Sequence, residues 1–119
     1  MPLATVLFIA ILFSDIAGDM RLSVDRYILE TLMPDLVGHD KRPVAFVVYL
    51  YLWTRTFGGG AKSVQVSHQT VADELGVSKS AVQAAVKHLT RRRLLRAQHA
   101  SATAVPEYFP LRPWTERGR

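Results

Sequence analysis

Residues 67–89 read Ser-His-Gln-Thr-Val-Ala-Asp-Glu-Leu-Gly-Val-Ser-Lys-Ser-Ala-Val-Gln-Ala-Ala-Val-Lys-His-Leu, and no other stretch constrains the fold so tightly. Apolar side chains recur there at helical spacing, first Val71, Ala72 and Leu75, then Val82, Ala85, Val86 and Leu89. Leu75-Gly76-Val77-Ser78 separates the two sets with a glycine where a helix would stop. Ser67 stands where a hydroxyl can cap the first set. The pattern predicts two short helices, joined by a tight turn and packed through their apolar faces. Arg91-Arg92-Arg93 follows at once.

Charge is distributed unevenly around this pair. The 119-residue chain carries a formal net charge of +5, and its length suits one domain. Residues 1–54 hold four basic and six acidic side chains, whereas residues 55–119 hold eleven basic and four acidic. No acid falls between Leu75 and Pro106, and Lys79–Arg96 contains six basic residues. A solvated helix face ordinarily mixes signs. A run of one sign points to a polyanionic partner.

Several chemistries are excluded. The chain has no cysteine, which removes disulfides, thiolate catalysis and zinc-finger ligation. His39, His68, His88 and His99 lie far apart with no HExxH spacing, so no metal site and no cofactor are expected. Asp73-Glu74 with His68 or His88 is better read as the polar outer face of a helix than as an acid/base pair. With no nucleophile elbow or phosphate-binding glycine loop, an enzyme is not expected.

Leu3–Phe13 is an apolar run of eleven residues, too short for the roughly 20 that span a bilayer. It lacks a positive n-region, and Asp15 spoils the small-x-small pattern for a cut after Ala17. Three readings are open for residues 1–20: an extra element packing on the domain or across a dimer, a start-site artefact with the working chain beginning at Met20, or a membrane anchor. Stable membrane insertion is not expected.

The remaining chain divides readily. A helix is expected from Ser23 or Asp25, with Tyr27, Ile28, Leu32 and Leu36 at helical spacing, a kink at Met33-Pro34 and a stop at Gly38. Pro43 suits the first turn of a second helix, running to Thr56 and apolar nearly all round. Such a helix is buried on several sides, and in a domain this small a second subunit is expected to cover part of it. Gly58-Gly59-Gly60 is expected as a flexible loop and Val64-Gln65-Val66 as a short strand. Residues 94–99 and 104–109 read as a hairpin around the small-residue turn 100–103, with Pro106 at an edge or bulge. Residues 21–114 form the expected domain, and residues 115–119 a frayed tail.

This order of elements resembles the winged helix-turn-helix superfamily over about residues 43–112, in particular the motif of bacterial transcription regulators and some plasmid replication initiators. Ala72, Gly76, Val77 and Val82 stand where that motif places a small residue, the turn glycine and two apolar residues. The resemblance implies a mainly α fold with a small β-hairpin: three to four core helices plus a two- or three-stranded wing sheet. It also implies a cytoplasmic, nucleoid-associated homodimer, joined through its N-terminal helices, that binds double-stranded DNA and regulates transcription. Alternatives are a protein-interaction winged-helix module and a plasmid replication or partition accessory protein.

In a helix-turn-helix pair the second helix, here about residues 78–92, lies in the major groove. With Val82 turned inward, Ser80, Ala84, Lys87 and Arg91 face outward, flanked by Gln83. Lys79, Ser80, Gln83, Ala84 and Lys87 are the expected base readers. Glutamine can pair with adenine, lysine with guanine, and the Ala84 methyl can touch a thymine methyl. Ser67, His68, Arg91, Arg92, Arg93, Arg96 and His99 are the expected phosphate contacts. Arg55 and Arg112 are further, weaker candidates. Tyr49, Tyr51 and Trp53 are assigned to packing rather than to base stacking.

Overall fold

A computed structural model describes residues 21–115. The expectations for residues 1–20 and for 116–119 lie outside the described residues. The fold is mainly helical, with one small three-stranded antiparallel sheet.

Ser23 and Asp25 do not cap the first helix with their side chains. Trp53 Nε1 donates to the Ser23 backbone carbonyl at 3.0 Å, and the Asp25 carboxylate accepts from Trp114 Nε1 at 3.1 Å. The chain stays helical through Met33-Pro34, and the stop expected at Gly38 comes one residue later, at His39. The helical path continues as two π-helical segments, Ile28–Leu32 and Pro34–His39. Met33 N donates to the carbonyl of Ile28, and Asp40 N to that of Asp35, five residues back in each case. A wider turn explains the tolerance of Pro34. Proline has no N–H to lose at the first position of a segment, and its ring collides with the carbonyl four residues back only in α geometry. Ile28, Leu32 and Leu36 are buried on one side of this path.

Helix α1, Pro43–Thr54, is two residues shorter than expected. It is apolar all round because it is the centre of the domain: Ala45, Phe46, Val48, Tyr49, Leu52 and Trp53 are all buried. Its own subunit thus provides most of the cover for which a second subunit was invoked, and within α1 only Pro43 and Val47 stand exposed. The glycine triplet, expected as a flexible loop, begins within a 3₁₀ turn, Phe57–Gly59, and Gly60 closes it at φ +83°.

Strand β1, Val64–Gln65, leads into α2, His68–Leu75, and α3, Lys79–Arg91. Ser67 Oγ accepts from Thr70 N at 3.1 Å, and Ser78 Oγ accepts from Ala81 N at 3.0 Å, so each helix starts on a serine cap. Gly76 ends α2 at φ +72°, where a side chain would be strained. Its N–H and that of Val77 both donate to the Ala72 carbonyl, which closes the turn. Val82, Ala85 and Leu89 of α3 join Val71 and Ala72 of α2 in the core that surrounds α1.

Strands β2, Leu95–Gln98, and β3, Glu107–Pro110, complete a sheet of order β1-β3-β2. Tyr108 is the centre of its register, opposite Val64 on one side and Ala97 on the other. The return strand starts three residues later than expected, so Pro106 precedes the ladder instead of interrupting it. There it is buried, and its carbonyl accepts from Val66 N at 3.3 Å. Thr115, expected in a frayed tail, closes a 3₁₀ turn, Pro113–Thr115, through its N–H to the Arg112 carbonyl at 2.9 Å. Trp114 stacks on Tyr27 at 4.6 Å between ring centroids, tying the end of the domain to its first helical turn.

Candidate nucleic-acid interface

The expected base readers share one open surface. Lys79, Ser80, Gln83, Ala84 and Lys87 are all exposed on α3, because Val82, Ala85 and Leu89 turn the opposite side into the core. Among the described residues, the charged groups of Lys79 and Lys87 make no ion pair and the Gln83 amide no side-chain hydrogen bond. Ser80 Oγ lies 3.1 Å from Ser78 Oγ and remains accessible. Ala84 lines a shallow cleft of about 220 Å³ with Ala81, Ala85 and residues 41–45.

The phosphate set divides. Arg91 and Arg93 are exposed and free of ion pairs among the described residues. Arg93 leaves the helix at φ +58°. Arg96 lies exposed on β2, its guanidinium 4.0 Å above the Phe109 ring, and His99 is exposed just beyond that strand. Both remain available to an anion. Ser67 is occupied by its cap, accepting from Thr70 N and sharing a hydrogen bond with Thr70 Oγ1 at 2.9 Å.

His68 and Arg92 have structural partners that the sequence did not announce. His68 Nε2 shares a 2.6 Å hydrogen bond with Tyr108 Oη, tying the start of α2 to the central strand. Burial, reinforced by the positive charges of Lys79 and His99, pushes the His68 pKa down and so favours the neutral ring. Arg92 donates to Asp35 Oδ2 at 2.5 Å and to Asp40 Oδ2, linking the end of α3 to the π-helical segments. The arginine triplet therefore holds two outward cations around one that is spent internally. Arg55 and Arg112 are engaged too, Arg55 with Glu74 at 2.6 Å and Arg112 with Asp25 at 3.4 Å.

Asp40 is the hub of this internal network, its side chain 9 % exposed. It accepts from Arg92, and its oxygens lie 3.0 Å from His39 Nδ1 and 2.8 Å from His88 Nε2. The hydrogen bond to His39, then those to His88 and Arg92, hold its carboxyl at about 2 against the opposing effect of burial. A carboxyl depressed on folding adds stability above its unfolded pKa, near 4, and loses it as pH falls through about 2. Asp40→Asn is therefore expected to flatten the acid limb between pH 4 and pH 2 in a plot of urea midpoint against pH. An unchanged limb would remove Asp40 as its source.

No family model, curated protein or solved structure matches this chain.

The candidate surface is thus defined by its own geometry. It consists of the outward side of α3, Arg91 and Arg93 at its end, and Arg96 and His99 on the adjacent hairpin. Lys41 and Arg42 were not expected in it. They lie in the loop before α1, at the cleft that Ala81, Ala84 and Ala85 also line. Their distance in sequence from α3 concealed them, and the only available signal was the basic pair itself in an otherwise acidic half. Asp35, His39 and Asp40 also bring ligand atoms within 4.8 Å of one another, but Arg92 already occupies one oxygen of each carboxylate. Among the described residues no helix is long and apolar enough to cross a membrane.

Proposed function

We propose that this chain is a winged helix-turn-helix protein that binds duplex DNA in a sequence-dependent manner and regulates transcription by occupying its site. The observation that carries the reading is the exposed side of α3. Lys79, Ser80, Gln83 and Lys87 project from a helix held by a capped tight turn, and no acid lies among them. An α-helix of this width fits a major groove about 12 Å across. Ala84, at the middle of the exposed side, lets the backbone approach the groove floor. Gln83 and Lys87 supply the hydrogen-bonding groups that distinguish adenine and guanine. Arg91, Arg93, Arg96 and His99 add sequence-independent phosphate contacts.

Two measurements test this. Affinity for a duplex should fall steeply with salt, since each neutralised phosphate releases counterion; binding flat between low and moderate salt defeats the reading. Gln83→Ala and Lys87→Ala should each relax base preference by about 1–3 kcal/mol, read by selection from a random duplex pool. In the same experiment, half-sites about 10 base pairs apart, or a multiple of that, would reveal a homodimer.

A protein-interaction module is the second reading. Leu29, Met33 and Val37 favour it, forming an exposed apolar row along the π-helical segments. A complex that survives charge reversal at Arg91 and Arg93 would support it over DNA binding.

A further inference from the structure

The exposed side of α3 has two flanks, and Lys79 and His99 both lie near His68, whose ring bonds Tyr108 of the hairpin sheet, so the hairpin cations belong to the Lys79 side. Successive helical residues turn by about 100°, which places Ala81 roughly 160° from Gln83, and Ala85 roughly 160° from Lys87, around the axis. The alanine flank faces the loop before α1. There the cleft of about 220 Å³ has Ala81, Ala84 and Ala85 on one wall and Lys41 and Arg42 on the other. Both cations are exposed, and neither makes an ion pair or side-chain hydrogen bond among the described residues. The adjacent acids, Asp35 and Asp40, are drawn inward by Arg92. The main chain of Arg42 is fixed, its N–H donating to the Leu36 carbonyl at 2.8 Å and its carbonyl accepting from Ala45 N at 3.1 Å. Two free cations are thus held on a braced loop beside the small-residue flank of the helix.

We infer that Lys41 and Arg42 form a second phosphate clamp, gripping the DNA strand across the groove from the one met by Arg96 and His99. The inference rests on the DNA-binding reading above and adds the opposite side of the duplex to it. A helix in the major groove has a phosphate backbone along each flank, since helix and groove are of similar width. Small side chains on the alanine flank leave room for a backbone to approach, and the two cations are placed to meet it. Such contacts raise affinity and orient the helix without reading sequence.

The test is a salt titration of binding to a selected duplex and to a scrambled one, comparing the full chain with the Lys41→Gly, Arg42→Gln double variant. Lys41 sits at φ +58°, so glycine removes its charge while relieving the backbone. Thermal unfolding should accordingly stay level or rise. The slope of log affinity against log salt should become shallower by about 1.8, from about 0.9 per phosphate contact. Affinity at 0.15 M salt should drop on the order of 10- to 30-fold, equally on both duplexes. An unchanged slope in a variant whose parent binds steeply overturns the clamp and leaves the DNA-binding reading intact. A loss confined to the selected duplex also overturns it, because that is base reading. A parent that binds neither duplex at low salt defeats both.

Discussion

Trp53→Ala is expected to lower the stability of the domain by about 3–5 kcal/mol, the usual cost of removing a large buried aromatic side chain. Trp53 is 2 % exposed in α1, with Tyr49 and Phe57 at centroid distances of 6.4 and 4.9 Å. Its Nε1 donates to the Ser23 carbonyl at 3.0 Å, so truncation also orphans the acceptor that draws the start of the described chain onto the core. Domains of this size are stable by about 5–15 kcal/mol, so the variant should retain at best a marginal fold. Trp53→Phe keeps most of the ring volume and loses the hydrogen bond, so its loss should be markedly smaller. Urea unfolding followed by circular dichroism measures both. A Trp53→Ala loss below about 1 kcal/mol would mean that α1 is not the centre of the core.

Splitting the arginine triplet should give the second large effect. Arg91→Glu with Arg93→Glu is expected to weaken duplex binding about 100-fold or more at 0.15 M salt, because two phosphate contacts become repulsive. Stability should scarcely change, since both side chains are exposed and unpaired among the described residues. Arg92→Ala should do the reverse. It strips Asp35 and the largely buried Asp40 of their cation, at a cost of about 1–3 kcal/mol once the one-third exposure of Arg92 is allowed for. The salt slope of its folded fraction should match the parent's. Binding assays paired with thermal unfolding separate the two outcomes. If all three arginines proved interchangeable in both assays, the internal role of Arg92 would be refuted.

Much of the described architecture was legible from local chemistry. The serine cap at 67, the turn at Gly76 and the inward positions Val71, Ala72, Val82, Ala85 and Leu89 each follow from a few neighbouring residues, while the Ser78 cap was read only as part of the turn. The continuous path through Pro34 was not legible. The rule that proline interrupts a helix assumes α geometry, and the chain adopts π geometry there. The apolar character of α1 was read correctly as burial, and the structure shows that most of it lies within one subunit, because composition cannot tell burial within a subunit from burial between two.

The candidate site shows the same division. Local periodicity alone placed Ser80, Gln83, Ala84 and Lys87 on the outside of α3, since a helix that buries one stripe must expose the opposite one. Which cations remain free was settled only by folding. Arg91, Arg92 and Arg93 are identical in sequence terms, yet one side chain reaches two carboxylates more than 50 positions away and its neighbours reach none. Lys41 and Arg42 come beside α3 by the same long-range packing. Helical pattern and capping are properties of short stretches of chain. Charge pairing depends on distances across the folded domain, which only the tertiary structure sets.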